Sequence, residues 1–351
     1  MAPEKLAAAC RAVEQEVASG AVGAATLVVA RGGVVAVERG YGKLSREEAA
    51  PPCRPDSVFL IASITKPLTA MAVMRLVEQG RMGLDDPVVR HLPEFGGADR
   101  RGTLVRHLLT HASGLPDMLP DNIALRKRQA PLREFLAGAM RVPLLFPPGA
   151  RVSYQSMGTL LAAEIAERVS GQRLDAYLAK EVFGPLGMKK TSLGMGGLKI
   201  EETVRCDLPA SGDLIQTEAD RSWNWNSAYW RNLGVPWGGA HSTAGDIALV
   251  LQSMLEGGGR VLKPETVRAM ITDQNRGLDK PWGLGWKVGK DAFYEGSAAD
   301  AFGHKGATGT VCWADPGRKL VLVLLTNRPG VNDKTEFRKR VSAMVSAAAV
   351  S

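Results

Sequence analysis

Long apolar runs are missing from this chain of 351 residues: the longest, such as residues 320–325, reach strand length and fall far short of a membrane span. The beginning of the chain lacks one as well. Residues 1–11 include Glu4, Lys5 and Arg11 and lead on to Glu14 and Glu16, the pattern of an amphipathic helix and not of a secretory signal. A cytoplasmic location and no membrane partner are therefore expected. Cysteine is sparse. Cys10, Cys53, Cys206 and Cys312 are scattered without C-x-x-C or Cys/His ligand spacing, which argues against a disulfide framework and a zinc site. Free thiols agree with a reducing compartment. Charge is not strongly one-sided either, since 44 Lys and Arg against 36 Asp and Glu leave a net +8. The basic clusters Arg126-Lys127-Arg128 and Arg338-Lys339-Arg340 have no interleaved aromatics. They read as solvated helix faces, and no nucleic-acid partner is expected. No phosphate-cradling glycine loop, metal-ligand cluster or Gly-x-Ser-x-Gly elbow occurs. Neither a cofactor nor a metal is expected, and an α/β-hydrolase is disfavoured.

Aromatic residues make up only 6% of the chain, yet Trp223, Trp225, Trp230 and Trp237 are four of its seven tryptophans, with Tyr229 among them. Two readings stay open. The run is a loop pinned to the core by its aromatics, or a wall beside a cleft offering flat apolar area to a ligand.

What is present is ample apolar material, 45% of the residues, arranged in short units. Residues 24–30 and 34–40 are β-branched runs joined by Arg31-Gly32-Gly33, a hairpin by length and turn chemistry. Residues 310–315 and 320–325 flank Pro316-Gly317-Arg318 as a second hairpin, and a closing helix is expected from about Asp333 with Asn332 as its cap. Strands at both ends and helical patterns between them predict an α+β architecture with one antiparallel sheet assembled from both chain ends. Residues 1–70 and 240–351 would form the sheet lobe, and residues 71–239 a mainly helical lobe inserted in it, as one compact unit.

The chemistry centres on Ser63-Ile64-Thr65-Lys66. The residues that follow repeat apolar positions at three- and four-residue steps, so a helix is predicted with Pro67 in its first turn. Residues i and i+3 share a helix face, which lets the Ser63 hydroxyl meet the Lys66 amine. Serine needs a base to become a nucleophile, and lysine serves only if burial lowers its pKa toward neutrality.

Further segments fit this pair into a known pattern. Pro147-Pro148-Gly149 precedes Tyr154-Gln155-Ser156, and Phe302-Gly303-His304-Lys305-Gly306-Ala307 leads into a strand. The chain resembles the serine β-lactamase and penicillin-binding protein superfamily. The closer likeness is to the branch with Tyr-x-Asn as second motif: class C β-lactamases, D-alanyl-D-alanine carboxypeptidases of that type and family VIII carboxylesterases. Leu108 to Leu115, Phe183-Gly184-Pro185-Leu186-Gly187-Met188, residues 238–246 and Trp282-Gly283-Leu284-Gly285-Trp286 resemble framework segments of that branch, so the likeness covers roughly residues 20–345. It implies a β-lactamase/transpeptidase-like fold with the serine at the junction of the lobes.

The resemblance also implies roles. Ser63 would be the nucleophile, Lys66 the base, and Tyr154 its partner, a phenol whose pKa a nearby ammonium should lower. Ser156 stands where the branch carries Asn; it is expected to accept a hydrogen bond from Lys66 and to reach less far toward substrate. His304 replaces the lysine of Lys-Thr-Gly, with a polar role toward Tyr154 or a substrate carboxylate, and is expected to titrate near physiological pH. Lys305, by strand alternation, would face away. Gly306 would let substrate approach the strand, and the N–H groups of Ser63 and Ala307 would form the oxyanion hole. His111 reads as a turn brace, His91 and His107 as packing or surface residues, and His241 as lying near a helix entrance capped by Ser242 or Thr243.

The expected function is a serine hydrolase acting on small to medium acyl esters through an acyl-enzyme. The missing export signal, the altered Tyr-x-Asn and the histidine in place of lysine favour it. A β-lactamase or D-alanyl-D-alanine-type peptidase is the alternative, and a non-catalytic binding relative a third. Transacylation uses the same intermediate, and oligomeric state is not encoded legibly.

Overall fold

A computed structural model describes residues 1–209, 217–330 and 337–349. The expected cap and start of the closing helix, Asn332 and Asp333, lie outside the described residues; the helix itself is described over Phe337–Ala348.

The turn Gly32-Gly33 adopts positive φ at both residues (57° and 81°), the geometry that two-residue hairpins require. It joins strand β1 (Ala24–Arg31) to β2 (Val34–Gly42). Two short strands, β3 (Phe59–Leu60) and β4 (Ser192–Leu193), flank β5 (Ala240–Ser242) in a small sheet. Strands β6 (Lys287–Val288), β7 (Phe302–Gly306), β8 (Thr310–Asp315) and β9 (Leu320–Thr326) complete a six-stranded antiparallel sheet of order β2-β1-β9-β8-β7-β6. Central β1 and β9 come from opposite ends of the chain and pair over Ala25 to Arg31 against Thr326 to Leu320.

Both faces of this sheet are covered, which is why β1 and β9 read as unbroken apolar runs instead of alternating ones. Helix α1 (Pro3–Ala18) and the closing helix pack on Leu27, Val29, Leu322, Leu324 and Trp313. The opposite side chains, Val28, Val321, Val323 and Cys312, join the main core with the helical body. Edge strand β2 stays largely exposed.

Helix α2 (Thr65–Glu78) runs through that main core with every residue from Thr65 to Met74 buried. A helix apolar all round must be surrounded, and α2 packs against helices Met157–Ser170 and Leu174–Leu178.

The basic runs differ from expectation in one residue. Arg126 is buried, its guanidinium 3.6 Å above the Trp230 ring, and burial lowers its pKa to about 9, whereas Lys127 and Arg128 are exposed. Position on the inward face of helix Asn122–Lys127, which also buries Asn122, overrides charge. All four cysteines are buried free thiols. Among the described residues no helix is long and apolar enough to cross a membrane, and no cluster of three potential metal ligands occurs.

Candidate active site

Ser63 lies in a single 3₁₀ turn, Ala62–Ile64, between β3 and α2. Ala62 has φ +47°, a left-handed conformation that costs energy for a residue with a Cβ and persists only where neighbours enforce it. The neighbours are hydrogen bonds from distant segments. Ile61 N–H donates to Ala240 O (3.0 Å), Thr310 Oγ1 donates to Ile61 O (3.0 Å), and Thr308 Oγ1 donates to Leu60 O (2.7 Å). Thr65 Oγ1 donates to Ala62 O (2.7 Å) and accepts from Ala240 N–H (3.0 Å). Gly306 makes the approach of β7 possible, since a Cβ there would stand 2.1 Å from Thr310 Oγ1 and 2.4 Å from Ile61 O. The requirement for glycine thus comes from the serine turn itself. Ala307 follows directly, its carbonyl accepting from Gly330 N–H at 3.1 Å.

Lys66, 2% exposed, sets its Nζ 3.2 Å from Ser63 Oγ and 3.1 Å from the Trp237 carbonyl. Burial lowers its pKa to about 7, with Asp117 pulling the other way. Close to neutrality a large share of these amines therefore carries a lone pair beside the serine hydroxyl.

The Tyr154 ring lies 4.6 Å from Lys66 Nζ. Burial pushes the phenol up, the Ser63 side chain lowers it and Asp117 raises it, with a net rise. This corrects the expected lowering: desolvation of the phenolate outweighs the lowering by Ser63. The raised pKa keeps the Tyr154 phenol protonated around neutral pH.

His304 is 3% exposed and its Nδ1 donates to the Lys305 carbonyl at 2.8 Å, which leaves Nε2 as an acceptor. Burial, then the charge of Lys66, lowers its pKa to about 3. The expected titration near physiological pH is thus replaced by a neutral imidazole. Lys305 is exposed between two buried neighbours.

Ser156 also differs from expectation. Its hydroxyl donates to Asp117 Oδ1 at 2.6 Å, and its backbone N–H to Asp117 O at 3.2 Å. Lys66 donates its second bond to the Trp237 carbonyl instead. Gln155 points inward, accepting from Ser113 Oγ (2.5 Å) and donating to His107 O (3.0 Å).

Three site residues carried no catalytic reading in the sequence. Asp117 acts on both Lys66 and Tyr154. Trp282 lies 5.9 Å from the Tyr154 ring and 6.0 Å from His304. His111, read as a turn brace, does hold a bend with φ 62° and accepts from Gln155 N–H at 3.2 Å. Its ring also lies 4.6 Å from Tyr154 and 4.5 Å from Trp282. Burial and Lys66 keep it neutral. His111 and Trp282 meet edge to face at 76° next to the Tyr154 ring. The tryptophan run is pinned: Trp223, Trp230 and Trp237 are buried. Elsewhere His241 is buried in β5, bonded to Gly194 O (2.9 Å), and Thr243 caps the next helix by accepting from Asp246 N–H (3.0 Å). His91 pairs with Asp86 (2.9 Å), and His107 accepts from Leu104 N–H (3.2 Å).

A serine, a depressed lysine and a tyrosine on a helix-flanked antiparallel sheet define the serine β-lactamase and penicillin-binding protein class. The chain belongs to the Beta-lactamase family, whose model matches residues 10–345. Esterase EstB of Burkholderia gladioli is 40% identical over 180 residues, 47% of this chain and 45% of that protein. A putative D-alanyl-D-alanine carboxypeptidase of Escherichia coli K12 is 28% identical over 303 residues, 78% of this chain and 69% of the relative. The structure of a penicillin-binding protein homologue from Caulobacter crescentus superposes with a TM-score of 0.82 at 26% identity, covering 99% of this chain and 98% of that one. The fold is the β-lactamase/transpeptidase-like α+β fold, in a family of hydrolases.

Proposed function

We propose that this protein is a serine hydrolase that cleaves small to medium carboxylic esters through an acyl-enzyme on Ser63. The observation that carries the ester reading is the neutral His304, buried with a pKa near 3 where the Lys-Thr-Gly motif has its lysine. β-Lactams and peptide C-termini carry a carboxylate, and a neutral imidazole gives it no ion pair; a simple ester needs none. The partial likeness to Esterase EstB supports the same reading.

In the proposed reaction the Lys66 amine takes the proton from Ser63 Oγ as that oxygen attacks the ester carbonyl. The N–H groups of Ser63 and Ala307 receive the tetrahedral oxyanion. Tyr154 delivers a proton to the departing alkoxide and is reprotonated from Lys66, which leaves the acyl-enzyme and a free alcohol. Water, losing its proton to the same pair, attacks the acyl group and releases the acid. A second alcohol in place of water would give transacylation.

The test compares turnover of a short p-nitrophenyl ester with that of a chromogenic cephalosporin, together with intact-mass labelling by each. Ester turnover that disappears in Ser63→Ala, with an acyl adduct on Ser63, is expected. Faster cephalosporin turnover would favour the β-lactamase or peptidase alternative, to which the likeness to the carboxypeptidase points. No adduct with either, and nothing changed by Ser63→Ala, would favour a binding role.

A further inference from the structure

Asp117 is an exposed carboxylate held against the catalytic group by its partner Ser156, which is 1% exposed and two residues beyond Tyr154. The Ser156 hydroxyl donates to its Oδ1 (2.6 Å), and the Ser156 N–H donates to the Asp117 main-chain carbonyl (3.2 Å). Among the described residues no lysine or arginine forms an ion pair with it, although the chain carries a net +8. Its charge acts on both Lys66 and Tyr154, whereas Lys287 and Lys305 act on His304. The remaining titratable groups facing Ser63 are neutral: His111 and His304 by burial, Tyr154 as a phenol. With Lys66 as the free amine, Asp117 remains as a formal negative charge acting on the Lys66–Tyr154 pair.

We propose that Asp117 is a specificity residue that receives an ammonium on the substrate, so that the enzyme favours esters with a cationic acyl part, such as aminoacyl esters, and disfavours those with an anionic one. The inference rests on the ester reading above and adds the charge of the substrate to it. A fixed, unpaired carboxylate attracts a nearby cation without the cost of breaking an existing ion pair, and repels a carboxylate by the same field. The hydroxyl of Ser156 matters here because it anchors one carboxylate oxygen, Oδ1, beside the Tyr154 segment.

The experiment uses three p-nitrophenyl esters of equal chain length, ending in an ammonium, a methyl group or a carboxylate, and measures kcat/KM for the native enzyme and Asp117→Asn. The native enzyme is expected to prefer the ammonium ester over the methyl ester by about threefold to fivefold and to disfavour the carboxylate by a similar factor, the size of a partly solvated ion pair. Both ratios should approach one in Asp117→Asn and shrink in high salt. Each ratio is taken within one enzyme, so any change in Lys66 basicity cancels. Ratios that Asp117→Asn leaves unchanged would overturn the assignment. If that variant does not fold, the native enzyme decides: ratios indifferent to salt would overturn it equally. Failure to hydrolyse even the methyl ester would sink the ester reading itself, while good hydrolysis with flat ratios sinks only the role of Asp117.

Discussion

Thr310 donates its hydroxyl to the Ile61 carbonyl at 3.0 Å, joining β8 to the turn that carries Ser63 across 249 positions of sequence. The bond is buried and holds a backbone segment whose next residue, Ala62, is in a left-handed conformation. Thr310→Val removes this donor and keeps the shape, leaving the Ile61 carbonyl with only the Ile64 N–H at 3.3 Å. It is expected to lower stability by about 0.5–1.5 kcal/mol. It should also reduce kcat more than it changes KM, because the change displaces the turn that carries Ser63. Thermal denaturation and ester kinetics check both, and an unaltered kcat would mean the turn holds itself.

Gly306→Ala tests the same contact from the other side. Its Cβ would come within 2.4 Å of Ile61 O, so β7 must move away from the serine turn. A stability loss of about 1–3 kcal/mol is expected, as for other overpacked sites, with activity falling further than stability. A fully active alanine variant would show that this strand edge has slack.

Lys66 makes two predictions about pH. Acylation requires the free amine, so the rate should rise through pH 7 and level off above it, following the pKa of about 7. Lys66→Ala should lose a hundredfold or more in turnover. Lys66→Arg should not restore it, since guanidinium stays charged.

The same burial affects stability with a definite sign. Between pH 7 and 10.5 the unfolded chain binds the lysine proton and the folded chain does not, so folding becomes more favourable as pH rises through that window. Below pH 7 the penalty is on the order of 5 kcal/mol. Lys66→Met should therefore raise the melting temperature, and by more at pH 6 than at pH 9. A gain independent of pH would contradict the depressed pKa.

Tyr154→Phe removes only the hydroxyl from a ring that remains packed against His111 at 4.6 Å. Stability should change by about 1 kcal/mol or less. Turnover should fall a hundredfold or more if the phenol relays the proton, and pre-steady-state kinetics would tell acylation from deacylation. Near-native rates would leave the relay to water.

Much of this could be read from the residues because it depends on short-range geometry. The hairpin at Gly32-Gly33 follows from the positive φ its turn demands, and the meeting of Ser63 with Lys66 follows from a three-residue step at the start of a helix. Tyr154 and His304 could be found only through resemblance, since nothing in their own spacing ties them to Ser63.

The amino-acid sequence by itself determined which groups exist and which of them are chain neighbours: the strands at both ends, the nucleophile turn and the amine beside it. Tertiary structure alone decided their chemical state. Lys66 is depressed because segments such as the Trp237 stretch, 171 residues away, exclude water from it and bond its Nζ. His304 is neutral for the same reason, and Ser156 turns to Asp117 because a loop 39 residues earlier passes within reach. Desolvation sums over every atom packed around a group, and those atoms come from parts of the chain that local spacing does not connect.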